Sequence, residues 1–226
     1  HSRRSWMHCH PGDLQVRFPM ELFLVSLIGY LIGSVPFAYV IGKVFYHTDV
    51  RQHGSGNLGG SNISRVLGKK AGLAVMTLDL LKATLSVFLA TKISAHPWAV
   101  SLAALFTAIG HCYSVFLRFH GGKAVAALYG FLFALWVIGD CSPLVFFLPL
   151  ITFLAVLAAF KIVSLSSILS SCTAVIYIMN INIHRSVLWT ATILTVLIVL
   201  RHHENISRLL SATERKVKWM NRNDSK

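Results

Sequence analysis

Apolar residues run along this chain in long blocks, without the two-residue or three-to-four-residue alternation of a soluble domain. The blocks cover 22–44, about 71–91, about 98–117, 124–138, 144–160, 162–181 and 186–200. A bilayer core of roughly 30 Å asks about 20 apolar residues of a helix, so the pattern predicts seven membrane-spanning helices. The fourth and seventh blocks are short for this and read as tilted, thinned or partly re-entrant. Charge interrupts the blocks at Asp79 and Lys82, three residues apart in the second, where the two would neutralise each other. His111 in the third reads as a hydrogen-bonded packing residue.

Composition strengthens the reading. Only 13% of the 226 residues are charged and 55% are apolar, against roughly 25% charged in a soluble domain, and the mean hydropathy is +0.64. No internal repeat, low-complexity tract or long linker divides the chain. The expected fold is all-α: a polytopic helical membrane protein forming one domain over 20–226. The four cysteines, Cys9, Cys112, Cys141 and Cys172, have no paired spacing and indicate neither a disulfide framework nor a zinc site.

The net charge of +13 is distributed unevenly. Lys and Arg follow the odd-numbered blocks: Arg51, Arg65, Lys69 and Lys70, then Arg118 and Lys123, then Lys161, then a basic tail from Arg201. The other side carries little beyond Lys92 and Arg185. Because basic loops stay in the cytoplasm, the C-terminus is expected there and the N-terminus outside. Arg3, Arg4 and Arg17 contradict that placement, and residues 1–19, which precede an ordinary membrane entry at Met20, read as a tag or upstream extension.

Three polar segments fall on the basic side. The first, GSGNLGGSN at 54–62, matches a dinucleotide fingerprint in spacing, but a membrane block precedes it and Asp79 lies inside the next. Its chemistry still favours an anion: the four glycines Gly54, Gly56, Gly59 and Gly60 let backbone N–H groups turn inward, Ser55, Asn57, Ser61 and Asn62 add donors, and Arg65 follows Asn62 by three residues. The second, RFHGGKAV at 118–125, sets Gly121, Gly122 and Lys123 before a helix. A lysine is disfavoured at a helix start unless it meets an anion drawn to the same place. In the third, from Arg201 to Trp219, His202, Asn205 and Arg208 recur every three residues along one side, and Glu214 is read as a partner for basic groups. Taken singly, the segments also read as a flexible loop, an interfacial lysine and a basic surface tail respectively.

Together, GSGNLGGSNISRVLGKK, GHCYSVFLRFHGGKAVA and RHHENISRLLSATERK resemble the PlsY family of acyl-phosphate-dependent glycerol-3-phosphate acyltransferases of bacterial membranes, and the likeness extends over nearly everything from Met20. The resemblance implies transfer of a fatty acyl group from acyl phosphate to the 1-hydroxyl of sn-glycerol 3-phosphate, giving lysophosphatidic acid and phosphate. It implies a multi-pass protein of the cytoplasmic (inner) membrane with its site facing the cytoplasm, working as a monomer in the lipid bilayer with no cofactor, metal or nucleic acid. By the same resemblance Ser55, Arg65, Lys123, His202 and Asn205 are the catalytic positions. Gly54, Gly56, Asn57, Asn62, Gly121, Gly122 and Arg208 complete the phosphate sites.

The chain departs from the family pattern at Gly60 and Ser61, at Ala124 and Ala127, and at Ala212. Where the family has glycine, alanine is costly only if φ is positive. Ala124 therefore implies either that the residue after Lys123 is already helical or that this member is weakened. Two rivals are weighed. His8 and Asp13 fit the H-x-x-x-x-D spacing of another acyltransferase class, on the predicted outer side. A transporter or channel for a phosphorylated solute would use buried Asp79, Lys82 and His111, but the broken helices in paired repeats that favour it are not found.

Overall fold

The structure is a computed structural model that describes residues 20–139 and 141–217. The proposed extension, with His8 and Asp13, and the end of the basic tail lie outside the described residues.

Among the described residues the chain forms α-helices with two short 3-10 turns. In order they are α1 (Met20–Ser34), α2 (Phe37–Tyr46), α3 (Gly60–Val66), α4 (Lys69–Ile93), α5 (Ala99–Cys112), α6 (Val125–Ile138), α7 (Leu144–Phe160), α8 (Val163–Met179), α9 (Arg185–Arg201) and α10 (His203–Leu210). Every predicted block contains a helix. By length and composition Met20–Tyr46 and Lys69–Ile93 can each cross a membrane, and α9 with α10 forms a third candidate bent by 61°. The other apolar helices are 14 to 17 residues long.

The first block is not one straight helix. Pro36 has no N–H to continue the ladder and α2 restarts at Phe37, so the block read as one span over 22–44 is broken in its middle. The break leaves carbonyls without intrahelical partners, and one is capped from another element: Lys82 Nζ of α4 donates to Val35 O at 2.8 Å. The same ammonium pairs with Asp79 at 2.7 Å, as the i, i+3 spacing predicts. His111 Nδ1, buried in α5, stands 3.6 Å from that carboxylate, in keeping with a hydrogen-bonded packing role.

Close helix contacts are made by small residues, which let backbones approach in the absence of a hydrophobic drive between helices. An added Cβ at Gly33 would run into the Thr107 backbone, and one at Gly110 into Tyr30 O. Thr107 ties the contact further, its Oγ1 lying 3.1 Å from Gly29 O, which can only accept, and 2.7 Å from Ser86 Oγ, whose hydroxyl can donate in return. The short fourth block becomes α6, which is enclosed by protein: Leu128, Phe131, Leu132 and Leu135 are all buried in the largest core cluster, alongside residues of α4, α5, α8 and α9. Its near-uniform apolarity goes with burial over most of its length, Val137 in the last turn being exposed.

Candidate active site

The three polar segments come together around one cavity of about 920 Å³. Its wall contains Gly54, Ser55, Gly56, Asn57, Asn62 and Arg65 from the first segment, Gly121 and Lys123 from the second, and His202, Asn205 and Arg208 from the third. Gly122 lines a neighbouring small cavity with Asp79, Lys82 and His111.

The first segment is held in shape by one side chain. Asn62, at the start of α3, is 1% exposed. Its Oδ1 accepts the Ser55 amide at 2.8 Å, and its Nδ2 donates to Val50 O at 3.3 Å and His53 O at 3.2 Å. Both kinds of amide valence are therefore spent on the loop, and Asn62 shapes the cradle without offering a donor to it. The Gly56 amide is likewise committed, to His53 O at 3.1 Å. These two assignments of the sequence reading are corrected: the turn needs the groups for its own closure. Gly54 and Gly56 have φ of +66° and +69°, where a side chain is strained, and a Cβ on Gly54 would strike Asn62 Oδ1. Arg65, one turn on from Asn62, is exposed toward the cavity. Burial lowers its pKa and the nearby Arg215 lowers it further, the mark of cations gathered without enough anions between them.

In the second segment the Gly122 amide donates to His111 O at 2.9 Å, and a Cβ on Gly122 would collide with the His111 ring. The loop is pressed against α5, and only glycine fits. Lys123 Nζ reaches across to donate to Asn205 Oδ1. Burial holds the Lys123 ammonium below the ordinary lysine value, with Glu204 opposing. Ala124 has φ +61°, so the residue after Lys123 is left-handed and α6 begins one position later. The suggestion that it is already helical is thereby corrected.

The third segment turns at His202, which ends α9 and opens α10. His202 Nδ1 lies 2.8 Å from Ile198 O. A carbonyl can only accept, so Nδ1 carries the hydrogen and Nε2 keeps its lone pair. Burial pushes this imidazole down to about 4, leaving it neutral at physiological pH. After α10 the chain reverses through Ala212, φ +56°, with the Ala212 amide on Leu209 O at 3.1 Å and the Thr213 amide on Arg208 O at 2.8 Å, a Schellman closure. The reversal returns Glu214 onto α10, where it accepts from Asn205 Nδ2 at 2.6 Å, Arg208 Nε at 2.8 Å and Ser164 Oγ at 2.8 Å. Burial pushes the Glu214 carboxyl up, but these hydrogen bonds outweigh it and hold it below the ordinary value. Glu214 pairs as the sequence suggests. Arg208 is consequently bound to Glu214 and also stands 3.8 Å from Glu204.

Arg201, Arg215 and Ser164 escaped the sequence reading as site residues. Arg201 and Arg215 were visible there only as topogenic charge, although Arg201 adjoins His202. Ser164 carried no signal at all, since only the returning tail brings Glu214 to it. The departures at 60 and 127 also acquire surroundings. A Cβ at Gly60 would meet Met76 and Gly72 O, so glycine here fits a close approach of α3 to α4. Ala127 is packed in the apolar core.

Seven Lys and Arg side chains line the cavity against three carboxylates, Asp49, Glu204 and Glu214. Asp49 is engaged by Arg51 at 2.7 Å, and Glu214 by Arg208. A surplus of this kind favours an anion, and the glycine loops and hydroxyls are chemically suited to phosphate oxygens. Among the described residues no group of three or more His, Cys, Asp or Glu side chains could hold a metal ion.

The family model for glycerol-3-phosphate acyltransferase matches residues 23–212. The chain belongs to this family. Among its relatives, the glycerol-3-phosphate acyltransferase of Geobacillus kaustophilus is 43% identical over 198 residues, covering 87% of this chain and 96% of the relative. That of Bacillus subtilis is 40% identical, covering 89% of this chain and all of the relative. A crystal structure of PlsY, an integral membrane glycerol 3-phosphate acyltransferase, in its glycerol 3-phosphate form superimposes with a TM-score of 0.80 at 35% identity, over 87% of this chain and 95% of that one. A lysophosphatidic acid form of PlsY gives 0.78, also at 35% identity, over 86% and 94%. This member of the glycerol-3-phosphate acyltransferase family is thus an all-helical integral membrane acyltransferase, and its three motifs form one wall-to-wall site.

Proposed function

We propose that the protein transfers a fatty acyl group from acyl phosphate to the 1-hydroxyl of sn-glycerol 3-phosphate, on the cytoplasmic side of the bacterial inner membrane. The observation that supports this most is the meeting of Lys123 and Asn205 in a cation-rich cavity built from all three motifs. Relatives that match this chain over most of its length are named for glycerol 3-phosphate as acceptor, and solved forms of PlsY carry that substrate and lysophosphatidic acid.

In the reaction the glycerol hydroxyl oxygen bonds to the acyl carbonyl carbon, the bond from that carbon to the phosphate oxygen breaks, and phosphate departs with the electron pair. Arg65 and Lys123 neutralise the two phosphates, with Ser55 and the amides of Gly54 and Asn57 completing the cradle. Neutral His202 presents Nε2 as an acceptor that orients the hydroxyl, and Asn205 fixes the ammonium beside it. His202, at about 4, is a weak base, whereas a phosphate monoester takes up a proton near 6. The hydroxyl proton therefore ends on a substrate phosphate oxygen. Positioning and charge stabilisation carry the rate, since the acyl donor is already activated.

The test is to reconstitute the purified protein in lipid with acyl phosphate and glycerol 3-phosphate. The expected result is equal amounts of lysophosphatidic acid and inorganic phosphate, with Lys123→Ala and Arg65→Ala each slower by about a hundredfold or more, the scale of losing a group that stabilises developing charge. Acylation from a thioester while acyl phosphate stays inert would overturn the donor. Solute flux into vesicles without any acylation would favour the transporter reading.

A further inference from the structure

Arg201 closes α9 and lines the cavity, yet it forms no ion pair with a carboxylate among the described residues. Its donors are used on backbone: Nε to Gly122 O at 3.1 Å and Nη2 to Gly121 O at 3.3 Å. These two nitrogens form one edge of the guanidinium fork, whose fixed geometry can hold two acceptors at once. The plane is supported by Tyr113, whose ring centroid lies 5.2 Å from Cζ. From the opposite side, α5 grips the same dipeptide through the His111 carbonyl and leaves no space for a side chain at Gly122.

The next residue is Lys123. With the two preceding peptide planes fixed, the lysine enters the cavity from a defined backbone, and its ammonium arrives at Asn205 Oδ1. Asn205 follows Arg201 by four positions, so the end of α9 sets the loop and the start of α10 supplies the receiver. We propose that Arg201 is a positioning residue for Lys123, acting through the Gly121 and Gly122 carbonyls and not by contact with substrate. This rests on the acyl-transfer reading only in so far as turnover is the readout.

Arg201→Lys keeps the charge but ends in a single nitrogen that cannot span both carbonyls. It should lower kcat at least tenfold with KM for glycerol 3-phosphate within threefold of the parent. In a Lys123→Ala background the same change should cost less than threefold further, because the group it positions is gone. Multiplying losses in the double variant would overturn the proposal in favour of direct phosphate binding by Arg201, and so would near-parental turnover of Arg201→Lys. Should Arg201→Lys not fold, Tyr113→Leu removes the ring under the guanidinium and is read in the same cycle.

An independent arm needs no substrate. Residue-resolved mass spectrometry of lysine modification by an amine-reactive ester should show Lys123 reacting several-fold faster in Arg201→Lys, with Lys69 and Lys70 unchanged. Equal reactivity of Lys123 would overturn the proposal. Failure of the parent protein to make lysophosphatidic acid would sink the acyl-transfer reading alone, leaving this arm to decide the role of Arg201.

Discussion

Ala124 and Ala212 both occupy the left-handed region, at φ +61° and +56°, where a Cβ costs about 1–2 kcal/mol. Glycine would relieve that cost while losing more freedom on folding, for a net gain on the order of 0.5–1 kcal/mol at each site. Ala124→Gly and Ala212→Gly should each raise the thermal midpoint in detergent, and a fall in both would refute the strain. The site also carries an acid sensitivity. His202 is displaced from 6.5 to about 4, so between those values the unfolded chain binds a proton that the fold refuses. Its contribution is complete above about 6.5 and is lost as pH falls toward 4. Glu214, held below its ordinary value, contributes above that value and loses its share as pH falls through the depressed one. The thermal midpoint should therefore drop from pH 7 to 4.5, and His202→Gln should flatten the upper part of that slope. An unchanged slope would show that His202 is not the group responsible.

At the scale of elements, the break between α1 and α2 depends on α4. Lys82 serves both Asp79 and the Val35 carbonyl in surroundings where each side chain is 5% exposed or less. Lys82→Met removes one partner and strands the other, which typically costs about 3–5 kcal/mol. Combining it with Asp79→Asn should restore part of the loss, as measured by urea or thermal unfolding; a double variant less stable than Lys82→Met would contradict the pairing. The sequence revealed Asp79 with Lys82 because three residues along a helix is a local relation. It did not reveal that Val35 was the third member, forty-seven residues earlier, because no local pattern encodes that contact. The same limit applied to Asn62 and Gly56: donor content was legible, but whether the loop spends those donors on itself is decided by its closure. Positive φ at Ala124 was hidden for a similar reason, since it follows from how Gly121 and Gly122 are gripped between α5 and α9.

For the whole molecule, block lengths and charge asymmetry were enough to anticipate a helical membrane fold with all three motifs on one side, because lipid burial and loop charge act on long stretches of chain. Single-cysteine variants Ser55→Cys, His120→Cys and Arg215→Cys in a background without the native cysteines should all react with an impermeant thiol reagent in inside-out vesicles and stay protected in intact cells. Opposite labelling of any one would break the common-side arrangement. The cationic excess of the cavity should make KM for glycerol 3-phosphate rise between low and physiological ionic strength, as screening over about 8–10 Å takes hold; a flat salt profile would argue against electrostatic capture. The 61° corner at His202 has a further meaning for biogenesis. During synthesis the glycine loops emerge early, and Lys123 has no Asn205 to meet until the final helices have been made and seated. On the proposed roles, a chain halted after α8 carries both glycine loops without the Asn205 that receives Lys123, and is expected to transfer no acyl group until the last walls are delivered.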